Sequence, residues 1–96
     1  MAPVFYRATK LSTPRQQVNN LSLQGVRIYS DERLDMGQTL ELEFFFPNGI
    51  IVEVMARVVW IKKQPPGSAG VYDVGMEFIN LSEKALKELD AVLKKN

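Results

Sequence analysis

Between residues 39 and 62 the chain alternates apolar and polar side chains through two long runs, and this alternation narrows the available folds more than any other feature. Thr39 to Phe46 (TLELEFFF) sets Leu40, Leu42, Phe44 and Phe46 on one side and Glu41 and Glu43 on the other. Successive side chains of an extended chain point to opposite faces, so the pattern describes a strand with one face in a core and one in water. Pro47-Asn48-Gly49 is turn chemistry, and Asn-Gly suits the left-handed backbone angles of tight hairpins. Ile50 to Lys62 is the longest strand candidate, with Val52, Val54, Ala56, Val58 and Trp60 on one face and Glu53, Met55, Arg57 and Val59 on the other. A strand of that length curves, because sheets twist.

The flanking segments read the same way. Val4 to Leu11 (VFYRATKL) is a first strand that ends at the turn residues Ser12-Thr13-Pro14, and the extended stretch Arg15 to Asn19 forms a short hairpin with it. Gly25 to Ser30 alternates, with Val26, Ile28 and Ser30 on one side and Arg27 and Tyr29 on the other. Asp31 to Gly37 is a charged connecting loop, and Gln64 to Gly70 (QPPGSAG) is a loop because of its prolines and glycines. Val71 to Asn80 points Tyr72, Val74, Met76 and Phe78 inward and places Gly75 where a neighbouring backbone can approach. The period then changes to that of a helix. Ala85, Leu86, Leu89, Val92 and Leu93 form an apolar stripe, Asn80 or Ser82 caps it, Glu83 lies in the first turn, and Lys94 and Lys95 lie in the last. A helix over about 82–94 is marginal alone and must dock on the sheet. The fold class is therefore mainly β: a small antiparallel barrel of about six strands within 4–80, closed by a C-terminal α-helix.

The 96 residues form one domain, spanning 1–96, with room for a single modest core. No cysteine or histidine is present, which removes thiol chemistry, imidazole bases and the commonest metal ligands. Asp31, Glu32 and Asp35 cluster in a loop, where carboxylates are ordinarily solvated, and no nucleophile or general base is identifiable. The expectation is a protein that is not an enzyme and has no metal and no cofactor. A net charge of +1 provides no broad basic field for DNA. No apolar run reaches the length of a signal peptide or a membrane span, so a cytoplasmic protein without membrane insertion is expected.

Asn20-Leu21-Ser22-Leu23-Gln24-Gly25 stands apart from this pattern. If extended, it aims the amide of Asn20 and the hydroxyl of Ser22 the same way, and Gly25 lets the backbone bend or lets something come close. The same residues also read as a polar strand end followed by a turn. Asn20, Ser22 and Gly25 match the D/N-x-S-x-x-G motif of the bacterial PilZ domains. Gly37 before a strand, Ala56-Arg57-Val58-Val59-Trp60, and Val74-Gly75-Met76-Glu77-Phe78 before the helix extend the likeness over nearly the whole chain in order. The sequence thus resembles the PilZ domain family. The resemblance implies a six-stranded antiparallel barrel with a terminal helix and recognition of cyclic di-GMP, a bacterial second messenger.

The chain departs from the family at its second motif, R-x-x-x-R, whose two arginines grip guanine edges and phosphates ahead of the first barrel strand. Only 19 residues precede Asn20, and neither Arg7 nor Arg15 has an arginine four residues away. The arginine segment is therefore either lost or carried upstream in a longer protein. Losing two charge-assisted contacts costs about 2 to 6 kcal/mol, or on the order of two to four decades of affinity. Arg7, Arg15 and Arg27 are candidate replacement cations, and Trp60 offers a face on which a base can stack. Each has a plainer role: Arg7 and Arg27 as solvated strand residues, Arg15 as a loop charge, Trp60 as packing in the core or at the barrel mouth. The expected function is a non-enzymatic cyclic di-GMP regulator of weakened affinity, signalling to an unidentified protein effector. The alternative is a degenerate adaptor that acts through protein contacts and does not bind the nucleotide.

Overall fold

The computed structural model describes residues 4–8, 15–68 and 70–94. Seven strands and one helix follow in order: β1 (Phe5–Ala8), β2 (Gln16–Gln17), β3 (Asn20–Leu21), β4 (Gly25–Ser30), β5 (Thr39–Phe45), β6 (Ile51–Lys63), β7 (Tyr72–Ile79) and α1 (Glu83–Lys94). They form one antiparallel sheet in the order β2-β1-β5-β6-β7-β4-β3. The count is seven rather than six because the stretch from residue 16 to 21 serves both edges of the sheet. Gln16 and Gln17 pair with β1, while Asn20 and Leu21 pair with β4. Between them, the N–H of Val18 donates to the Val4 carbonyl at 2.8 Å and the N–H of Asn19 donates to the Arg27 carbonyl at 3.0 Å. Consecutive residues thus tie opposite edges together, and the curled sheet becomes barrel-like without leaving a long free edge.

The inward faces are those expected from the alternation, except at Trp60, which is exposed. Leu40, Leu42, Phe44 and Phe46 from β5 and its end meet Val52, Val54, Ala56 and Val58 from β6, and Val26, Ile28, Val74 and Met76 complete the core with Tyr6 and Leu34. The expected strand Val4 to Leu11 is seen as Phe5–Ala8 with a buried Val4 just before it, and residues 9–11 with the turn Ser12-Thr13-Pro14 lie outside the described residues. In the turn after β5 only Gly49 takes the left-handed conformation, with φ of 88°. The N–H of Phe46 donates to the Ile50 carbonyl and that of Gly49 to the Phe46 carbonyl, so the loop has three residues and Asn48 keeps ordinary angles. The Asn48 side chain instead accepts from the N–H of Ile50 at 3.0 Å.

Ser82, not Asn80, caps α1, its hydroxyl accepting from the N–H of Ala85 at 3.0 Å. Asn80 instead takes a positive φ of 51° where β7 ends and the chain turns toward the helix. Ala85 and Leu89 enter the core, and Val92 packs against it. Leu86 departs from the expected stripe, being 43% exposed. The docked face is narrower than the apolar stripe, because α1 covers a small curled sheet whose contact with it is mainly along β6. Lys95 lies outside the described residues.

Candidate functional site

The strand register brings three of the expected site residues into one row. Asn20 stands opposite Arg27 on β4, Arg27 opposite Gly75 on β7, and Gly75 opposite Trp60 on β6. Directly opposed residues share a face, and Arg27 is exposed while Val26 and Ile28 are buried, so this is the outer face. Trp60 reaches it through a β-bulge. The register of β6 against β7 shifts between Val58 and Trp60, which inserts Val59 as an extra residue and turns the tryptophan from the expected inner face to the outer one. Its indole, 40% exposed, lies over Gly75, where a Cβ would come within 2.0 Å of the ring nitrogen. The close approach at Gly75 is therefore that of a side chain, not of the neighbouring backbone expected from the sequence.

Arg27 is held in place from below. Its Nε donates to Oδ1 of Asp73 at 2.9 Å and its Nη2 to Oδ2 at 2.5 Å, the two-pronged geometry that suits a guanidinium and a carboxylate. Asp73 is only 4% exposed, and its hydrogen bond from Arg27 lowers its pKa against the opposing effect of desolvation, with Lys62 assisting. The same bond raises the pKa of Arg27. The guanidinium thus commits one edge to Asp73, leaves its other N–H groups outward, and stands 5.9 Å from the Trp60 ring. Asp73 is the residue that sequence reasoning missed. Aspartate is depleted in strands, so an Asp inside the run VYDVGMEF was a signal that a cation lay on the neighbouring strand, here diagonally across at Arg27.

The N-x-S-x-x-G segment is a turn built around its serine. The Ser22 N–H donates to the Gly25 carbonyl at 2.9 Å, and the Ser22 hydroxyl accepts from the N–H groups of Gln24 and Gly25 at 3.2 and 3.3 Å. The hydroxyl therefore shapes the β3–β4 connection, while Asn20 and Ser22 are both exposed and Leu21 and Leu23 pack against the core. Gly25 answers close approach rather than bending. A Cβ there would lie 2.1 Å from the Met76 carbonyl oxygen, so only glycine lets β7 pair this closely with the start of β4. A family model for the PilZ domain matches residues 2–95.

The chain belongs to the PilZ domain family. A search of curated proteins found no match. In this PilZ domain the other two expected cations lie on a different flank. Arg7 pairs with Glu43 at 2.7 Å on β5, and the Arg15 guanidinium lies 3.7 Å from the centroid of the Phe45 ring. The structure therefore brings Asn20, Arg27 and Trp60 together, with Gly25 and Ser22 supporting them, and sets Arg7 and Arg15 apart around Phe45. An open groove of about 490 Å³, lined by Gln16, Gln17, Val18, Asn19, Tyr29 and Asp31, adjoins the Asn20 end of the row. Among the described residues, no group of three or more Asp or Glu side chains is placed to hold a metal ion, and no helix is long and apolar enough to cross a membrane.

Proposed function

We propose that this PilZ domain is a non-enzymatic regulatory module that receives cyclic di-GMP on its outer β3-β4-β7-β6 face. The observation that carries the reading is the cross-strand row Asn20, Arg27, Gly75 and Trp60, which combines an amide, an oriented cation and an exposed indole. An asparagine amide both donates and accepts and so matches the edge of a guanine. The outward N–H groups of Arg27 suit a phosphate or a guanine O6 and N7, and the free face of Trp60 suits stacking. Arg27 is the replacement cation in this scheme, because Arg7 and Arg15 stand on the other flank. One arginine, half committed to Asp73, substitutes incompletely for a pair, so binding is weaker than with both family motifs.

Calorimetric titration of cyclic di-GMP into the wild type and into Asn20→Ala, Trp60→Leu and Arg15→Ala tests this. The expected outcome is saturable binding by the wild type, a loss of about tenfold for each of the first two variants, and none for the third. Equal binding by Asn20→Ala and Trp60→Leu, or no binding by the wild type, refutes the assignment. A second reading, an adaptor that acts through protein contacts, draws on the exposed Phe5, Ile51 and Met55, which lie on the opposite flank and take no part in the nucleotide row.

A further inference from the structure

The flank around Phe45 carries a charge order that is complementary to itself. Phe5 pairs with Gln17 and Tyr6 with Gln16, so the same antiparallel register carried one step further sets Arg7 opposite Arg15. Arg7 in turn stands opposite Glu43, and Glu43 opposite Glu53. Across β2, β1, β5 and β6 the outer row therefore reads Arg15, Arg7, Glu43, Glu53: two positive charges and then two negative. The inner two members bond to each other at 2.7 Å. Among the described residues the outer two, Arg15 and Glu53, have no ion-pair partner, and three strand spacings, about 14 Å, separate their backbones. The neighbouring row is Gln17, Phe5, Phe45 and Ile51, with Phe5 38% and Ile51 51% exposed.

We infer that this face is the interface of a homodimer. A two-fold axis parallel to the strands and midway between β1 and β5 lays the face on its own copy with the strand order reversed. Arg15 then meets the partner's Glu53, Arg7 meets the partner's Glu43, and Phe5 meets the partner's Phe45. Arg15, which covers the Phe45 ring in the single chain, moves to the partner's carboxylate and yields the ring to the partner's Phe5. A uniformly acidic or basic partner matches only half of the row and repels the other half, whereas a second copy matches all four positions. The interface uses β1, β2, β5 and the first half of β6, so it stands apart from the nucleotide row on β3, β4, β7 and the far end of β6.

Sedimentation equilibrium of the full chain, without nucleotide, from about 10 µM to about 1 mM tests the inference, with a dimer expected at a Kd of about 10–100 µM that weakens as salt is raised. In a two-fold dimer, Glu53→Arg and Arg15→Glu each oppose like charges twice, so each variant alone raises the Kd by about tenfold or more. An equimolar mixture of the two variants restores association, because each chain supplies the charge that the other lost. Both positions are exposed, and only folded chains can produce the rescue. A wild type that remains monomeric to about 1 mM, single variants that associate like the wild type, or a mixture that stays monomeric overturns the inference. Nucleotide binding is scored separately by calorimetry, so failure of one assignment leaves the other standing.

Discussion

Two glycines on the outer face, Gly25 and Gly75, respond differently to the same added methyl group. At Gly25 an alanine Cβ would sit 2.1 Å from the Met76 carbonyl oxygen, 3.1 Å from its carbon and 3.2 Å from the Cα of Glu77. Every one of these atoms is backbone of β7, so relief requires the two strands to separate. Overpacking of this kind costs about 1–3 kcal/mol where side chains can yield, and the upper end applies where only backbone can. For a domain of this size, about 3 kcal/mol lowers Tm by about 12–24 °C. At Gly75 the Cβ would sit 2.0 Å from Nε1 and 2.1 Å from Cε2 of Trp60, both in a ring that is 40% exposed and free to swing outward. Moving it forfeits part of the indole burial and the contact with Arg27, about 0.5–1 kcal/mol, while alanine recovers about 0.4–1 kcal/mol by restricting the unfolded chain. The net change is within about 1 kcal/mol, or less than about 8 °C in Tm. Thermal melts followed by circular dichroism measure both costs. Fluorescence of Trp60, the single tryptophan, reports the ring's environment. Gly75→Ala should shift the emission toward that of a solvated indole with a small loss of Tm, and Gly25→Ala should show the large loss. A smaller loss for Gly25→Ala than for Gly75→Ala, or unmoved emission in Gly75→Ala, refutes the reasoning.

Asp73 has a pKa depressed by its hydrogen bond from Arg27, so the stability it contributes is full above the ordinary aspartate range and is lost as pH falls through the depressed value. Urea melts of wild type and Asp73→Asn should therefore differ at neutral pH and converge in acid, and a constant difference would count against the pair. Tyr6 behaves oppositely: burial first, then Asp31 and Glu32, push its hydroxyl up to about 12 from 10.0. Its contribution is intact below the ordinary tyrosine value and is lost as pH rises through about 12, so ultraviolet titration should show one tyrosine ionising late, and Tyr6→Phe should remove that step. On α1, Leu89→Ala should cost about 2–5 kcal/mol and Leu86→Ala less than about 1 kcal/mol, since Leu89 is fully buried and Leu86 is not. Equal losses in denaturant melts would mean that the helix docks on a different face.

The alternation of residues 39–58 determined by itself which side chains share the core face, because a period of two divides a strand into an inner and an outer face. Leu40, Leu42, Phe44, Val52, Val54, Ala56 and Val58 are buried as the pattern requires. The serine cap, the acidic first turn and the change of period likewise placed α1 from local chemistry. The ordered motifs around Asn20, Trp60 and Gly75 carried the family. Only the tertiary structure decided how these parts meet. A bulge at Val59 has no marker in the sequence, since one inserted residue looks like any other in an alternating run, yet it turned Trp60 outward. The division of residues 16 to 21 between two edges follows from sheet closure, and so does the seventh strand. The register of β3 on β4 and of β4 on β7 aligned Asn20 with Arg27, placed Asp73 beneath that arginine and left Arg7 and Arg15 on another flank. The period of a strand fixes which face a residue occupies, but its neighbours across the sheet are set by pairings distant in sequence, and those are determined when the sheet closes.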